Sequence, residues 1–182
     1  RKMIAHPPVV QRLNWMIGYG YKETNEPMCC IYPKGTTGGS IHGQAPGSYL
    51  MHNGRPRVGN VNVAWALNDE APGFGENSGG FVCIPGSHKA NFTCPHDMTD
   101  ATRNPMAVPV FAESGDVIIF TEGMTHNAFP VTDDSVRRSV FFSYMPAIGR
   151  NNLPDQRMSM YPDHVLERLN DRADLLSSPG YI

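Results

Sequence analysis

The sequence predicts a mainly β domain, a barrel or sandwich of short strands flanked by two helices. Three observations carry that expectation. Short apolar runs recur between residues 28 and 144, each broken by Gly, Pro or Asn. Glycine (18) and proline (16) are frequent in 182 residues, as many strands joined by turns require. Helical spacing of apolar residues is confined to the two ends.

The elements follow in order. Val9, Val10, Leu13, Met16 and Ile17 have helix spacing, opened by Pro7-Pro8 and closed before Gly18. The strand-like runs are Met28–Tyr32, Asn60–Leu67, Gly80–Ile84, Ala107–Phe111, Val117–Phe120 and Val136–Tyr144. Within the second, Val61, Val63 and Trp65 alternate with Asn62 and Ala64, the pattern of a half-buried strand. Asn53-Gly54 reads as a hairpin turn. Gly115-Asp116 is a turn signal, and the apolar residues after it form a buried strand. From Pro162 to Leu176 the helical stripe returns as Val165, Leu166, Leu169, Ala173 and Leu176. No repeat or low-complexity segment interrupts the chain, so residues 1–182 are expected to form one domain.

Composition narrows the function. The 15 basic and 17 acidic residues leave a formal charge of −2, with no run of like charge. Neither a nucleic-acid nor a membrane partner is expected. No apolar stretch approaches bilayer length, and no signal peptide stands at the start, which is Arg1 and so allows for a fragment. Cys29, Cys30, Cys83 and Cys94 form no C-x-x-C pair, and adjacent cysteines bridge poorly. Reduced thiols and a cytoplasmic location are the expectation. Oligomeric state is not readable.

Among seven histidines, two stand out. His42 sits at a glycine-flanked strand end, Gly39-Ser40-Ile41-His42-Gly43-Gln44. His126 opens the segment after the Val117–Phe120 strand. Taken alone, each is more often a hydrogen-bonded structural histidine than a ligand. The third element is Arg137, at the head of a core strand. A buried guanidinium calls for an anion and matches a carboxylate bidentately; an internal salt bridge is the plain alternative.

Four segments now resemble the phytanoyl-CoA dioxygenase superfamily. They are Asn62-Val63-Ala64-Trp65-Ala66-Leu67-Asn68-Asp69, Gly79 to Lys89 with its Pro85-Gly86-Ser87-His88 turn, Gly115-Asp116-Val117-Ile118-Ile119-Phe120 running to His126, and Arg137-Arg138-Ser139. The likeness runs from about His6 to Ser178. It implies a double-stranded β-helix, a jelly-roll or cupin-like barrel. It implies Fe(II) held by a His-x-Asp pair and a distal His, with 2-oxoglutarate as co-substrate. On those positions His42 matches the first ligand, His126 the distal one, and Arg137 the arginine that grips the far carboxylate of 2-oxoglutarate. Trp65 matches a co-substrate-side tryptophan, with a core role as an equal alternative. His88 reads as a loop-fixing residue. His52 rivals His42, but the Asn53-Gly54 turn sets it at a strand end.

The chain departs from the family at the carboxylate, because position 44 is Gln44. Gln44 could bind through its amide oxygen, chloride could fill the position as in halogenating relatives, or another acid could serve. Glu122, four residues before His126, is the best such acid, with a carboxylate that supports a ligand without touching the metal, or a loop cap, as its alternatives. The function implied is oxygenation of a small-molecule C–H bond with O2 and 2-oxoglutarate. The rivals are a halogenase, a non-catalytic small-molecule-binding barrel and a metal-binding cupin-like protein. The loops Ala45–Gly59 and Pro95–Pro105 carry no readable substrate code.

Overall fold

In chain order the elements are α1 (Pro7–Met16), β1 (Tyr21–Glu23), β2 (Met28–Tyr32), β3 (Tyr49–His52), β4 (Arg55–Val58), β5 (Val61–Ala66), β6 (Phe81–Cys83), β7 (Val108–Val110), β8 (Val117–Thr121), β9 (His126–Ala128), β10 (Arg137–Pro146) and α2 (Asp163–Leu169). Single 3-10 turns occupy Ser87–Lys89 and His96–Met98. The structure is a computed structural model and describes residues 3–24, 27–43, 49–68, 75–90, 92–146 and 162–169.

The larger sheet is built on β10. One edge of β10 pairs antiparallel with β5, and β5 pairs with β8. The other edge is divided: β2 takes the first half, from Arg137 to Phe141, and β1 the last three residues, Tyr144 to Pro146. The smaller sheet runs β7-β6-β9. His42 adds a further line to it through a single bridge to His126. The two sheets pack through Ala64, Phe81 and Phe120, joined by Val110, Ile118 and Phe141. This is the jelly-roll, double-stranded β-helix arrangement that the sequence implies.

Helix α1 covers the outer face of the larger sheet. Pro7 and Pro8 occupy its first turn, where a missing N–H costs nothing. Val9 and Leu13 then point into a cluster with Tyr21, Val61, Val63, Trp65, Val140, Phe142 and Tyr144. Burying each such side chain contributes roughly 1.5–3 kcal/mol. Leu166 of α2 packs at the margin of this cluster. A smaller cluster of Ile41, Val82, Ala101 and Phe129 backs the other sheet.

Three expectations are adjusted. The six residues of β5 are all buried, so Asn62 and Ala64 face the interior between the sheets rather than solvent. β1 has no counterpart among the expected strands, since Tyr-Lys-Glu carries no apolar run, yet all three of its residues are buried. Residues 49–58, expected as a loop, form the hairpin β3–β4 around the anticipated turn. There Asn53 and Gly54 both adopt positive φ, 51° and 72°, as a two-residue hairpin requires. The terminal helix is described from Asp163 to Leu169, and its expected continuation to Leu176 lies outside the described residues.

Candidate active site

A cavity of about 630 Å3 opens between the sheets. His42, Glu122, His126 and Arg137 line it, together with Tyr32, Asn62, Phe81, Phe120, Asn127, Phe141 and Ser143. Strand alternation explains the membership. On β10 the odd residues Arg137, Phe141 and Ser143 face the cavity, while Val140, Phe142 and Tyr144 face α1.

The two histidines meet because their backbones pair. His126 donates its N–H to the His42 carbonyl at 2.7 Å, and His42 donates back at 3.0 Å. The rings lie 4.7 Å apart between centroids. Each ring is oriented by a backbone carbonyl. His126 Nδ1 is 2.6 Å from the Met124 oxygen, and His42 Nδ1 is 3.1 Å from the Ser40 oxygen. A carbonyl only accepts, so Nδ1 carries the hydrogen and Nε2 keeps the lone pair a metal needs. Burial pushes the His126 pKa down, the Met124 carbonyl and Glu122 oppose that, and His42 adds to it. The net direction is downward, toward the neutral imidazole that can ligate.

Close approach needs glycine around His42. A Cβ at Gly39 would lie 2.6 Å from Asn127 Nδ2, and one at Gly43 would strike the Met124 carbonyl. Asn127 uses that space to donate to the Ser40 oxygen, the same carbonyl that orients His42 Nδ1.

Glu122 leaves the end of β8 and completes the group. One ligand atom from each of His42, Glu122 and His126 lies within 4.8 Å of the others. Its carboxylate is held by Asn62, whose Nδ2 donates to Oε2 at 2.5 Å. Two imidazoles and one carboxylate suit a divalent first-row metal such as iron(II), leaving half of an octahedral shell open. Gln44, the alternative contact, lies outside the described residues.

Arg137 is 3% exposed, and Arg138 points outward. The strand register is therefore the expected one. Arg137 Nη1 donates to the Gly79 carbonyl at 2.8 Å, and the guanidinium sits 5.4 Å from the Tyr32 ring centroid. Burial lowers its pKa, while the neighbouring Tyr32 hydroxyl and Cys30 thiol raise it.

Trp65 does not join this group. It stands on the α1 side of β5, inside the cluster with Leu13 and Tyr144, its ring edge-to-face with His6 at 5.3 Å. Strand alternation puts it opposite Asn62, so the expected co-substrate role gives way to core packing. His52 ends β3 in the hairpin. In the Pro85-Gly86-Ser87-His88 turn, Ser87 makes the tether. Its hydroxyl accepts from Thr125 N–H at 2.7 Å and contacts Met124 sulfur at 3.4 Å, fixing the segment that delivers His126. Asn62, Asn127 and Ser143 were not anticipated; for Asn62 and Ser143 the signal was a polar residue within a largely apolar strand run, and that also fits a strand facing solvent.

Residues 3–139 match the family model described as phytanoyl-CoA dioxygenase (PhyH). No curated protein matches the chain. Among solved structures it is similar to HygX from Streptomyces hygroscopicus with nickel and 2-oxoglutarate bound. That match has 20% identity and a TM-score of 0.67, over 80% of this chain and 66% of that one. AviO1 from Streptomyces viridochromogenes Tue57 gives 18% identity and a TM-score of 0.55, over 78% of this chain and 58% of that one. The epimerase SnoN, solved with Fe3+, alpha ketoglutarate and nogalamycin RO, gives 18% and 0.55, over 81% and 58%. At such identity the likeness is one of fold, and the chain spans less than two thirds of the length of each.

Proposed function

The chain belongs to the phytanoyl-CoA dioxygenase (PhyH) family, and on that premise we propose that it is an iron(II)- and 2-oxoglutarate-dependent oxygenase acting on a small-molecule C–H bond. The overall change is insertion of one oxygen atom of O2 into that bond, the other leaving in succinate as 2-oxoglutarate loses CO2. One observation carries the reading: three convergent ligand atoms and a buried arginine line the same cavity.

His42, His126 and Glu122 are the residues that would hold the metal. When bound, iron supplies the oxygen activation that no side chain here can perform. The protein's part is placement. Arg137 offers a fixed guanidinium to the far carboxylate of 2-oxoglutarate, where a bidentate pair is favoured by the buried setting. Phe81, Phe120 and Phe141 supply apolar wall to the cavity between these groups. Glu122 offsets part of the metal charge that two neutral imidazoles leave unbalanced.

Glu122 beside both histidines favours oxygenation over the halogenating alternative, which needs an anion from solution at that position. The epimerase SnoN illustrates how one fold serves more than one outcome, so the reaction is read from this site and not from the fold. The test is anaerobic titration of the protein with Fe(II) and 2-oxoglutarate, followed by the visible charge-transfer band of the chelate. A saturable band at one equivalent supports the proposal. No band with folded protein, or a band perturbed by added chloride, overturns it in this form.

A further inference from the structure

We infer that Asn62 and Ser143 are positioning residues that clamp one oxygen of Glu122 and leave the other for the metal. The inference rests on the proposed reading of Glu122 as a metal ligand. Ser143 Oγ donates to Asn62 Oδ1 at 2.6 Å, and Asn62 Nδ2 donates to Glu122 Oε2 at 2.5 Å. The chain of bonds has a direction. Facing a carboxylate, the amide turns its NH2 toward Glu122, since its own carbonyl would set acceptor against acceptor. The carbonyl of Asn62 then needs a donor, and the Ser143 hydroxyl supplies it. Each group thus fixes the next.

The three residues come from three elements of the larger sheet. Asn62 is on β5, Ser143 opposite it in register on β10, and Glu122 just beyond β8. The backbone of Glu122 is tied down as well, its N–H donating to the Asn60 carbonyl at 3.0 Å. Asn62 is 8% exposed, in a strand whose other five residues are apolar. A buried amide there costs stability unless its bonds are made, and here they are made toward the candidate metal site. With Oε2 engaged by Asn62, Glu122 presents a single oxygen, Oε1. A one-oxygen contact spends one coordination position, whereas a chelating carboxylate would spend two and leave less room for co-substrate and O2.

The test uses cobalt(II) in place of iron, without co-substrate, so that binding is read from visible absorption and calorimetry independently of turnover. The proteins are wild type, Asn62→Leu, Ser143→Ala, Glu122→Gln and the double variant Asn62→Leu/Glu122→Gln, each with its metal-free melting curve. Asn62→Leu should lower cobalt affinity by about 10–100-fold, the range for partners that orient a ligand. Ser143→Ala should lower it less. In the double variant the loss should equal that of Glu122→Gln alone, because Asn62 acts through Glu122. Wild-type affinity in Asn62→Leu, or losses that add in the double variant, overturns the inference while leaving Glu122 as a ligand. Wild-type affinity in Glu122→Gln overturns the ligand reading itself and the clamp with it. Should Asn62→Leu fail to fold, Ser143→Ala and its double with Glu122→Gln make the same comparison at smaller amplitude.

Discussion

The two faces of the β5–β10 pair are made of alternating residues on the same strands, yet they serve different ends. Toward α1 stand Val61, Val63, Trp65, Val140, Phe142 and Tyr144, a continuous apolar layer. Toward the smaller sheet stand Asn62, Arg137 and Ser143, each engaged in a hydrogen bond at the wall of the cavity. Asn62 and Arg137 are as buried as the apolar layer, and Ser143 is half-buried. Burial therefore does not separate them; the chemistry of the buried atoms does. One face stabilises the fold, and the other spends some of that stability to hold polar groups out of water.

If that division is right, substitutions on the two faces should change different observables. The largest effect is expected from His126→Ala. Removing one of two imidazoles should take iron binding below detection, while the metal-free melting temperature changes little; unchanged metal stoichiometry would break the assignment. Trp65→Ala, on the opposite face, should cost about 3–5 kcal/mol of stability, as large-to-small changes in packed cores do. Per folded molecule its affinity for 2-oxoglutarate should match wild type, and a selective loss of that affinity would return Trp65 to the site. Arg137→Ala should weaken 2-oxoglutarate by about 2–5 kcal/mol, roughly thirtyfold and upward, with metal affinity alone unaffected. Arg138→Ala, one residue along and exposed, should change neither, and calorimetry with each ligand separates the two. The smallest effect is expected from Gly39→Ala. Its Cβ displaces the Asn127 amide from the Ser40 carbonyl that orients His42, and metal affinity should fall by about tenfold or less, the lower end of what losing an orienting partner costs. A larger fall accompanied by unfolding would mean that the glycine serves the backbone rather than the ligand.

The sequence made the frame legible where a strand carried an apolar run. Val117 onward was readable because its side chains meet other apolar side chains, whereas Met28–Tyr32 was readable from its apolar composition alone, since Met28 and Ile31 stand exposed. β1 was not, because Lys22 and Glu23 are buried by the tertiary arrangement rather than by their own character. The position of Arg137 could be read from its place on a core strand, and its register against Arg138 follows from alternation. The resemblance supplied His42 and His126, and Glu122 was reached by asking what could replace the acid absent at Gln44. What alternation could not tell was whether the polar face of β5 met solvent or a cavity. That depends on what lies above it, and the covering residues, Phe81 and His126, come from distant parts of the chain. The choice between the two roles read for Trp65 stayed open for the same reason: two buried faces give a sequence no contrast from which to choose.

The bond between the His42 and His126 backbones has a bearing on how the protein is made. The two residues come from opposite halves of the chain, and only sheet closure joins them. A zinc finger draws its ligands from neighbouring residues, so metal can nucleate its folding. Here the distant pairing must form first, and such contacts are slow to assemble. A chain emerging during synthesis holds His42 long before His126 exists. If His42 and His126 hold the metal as proposed, its capture is a late event, a sign that folding has finished and not the signal that starts it.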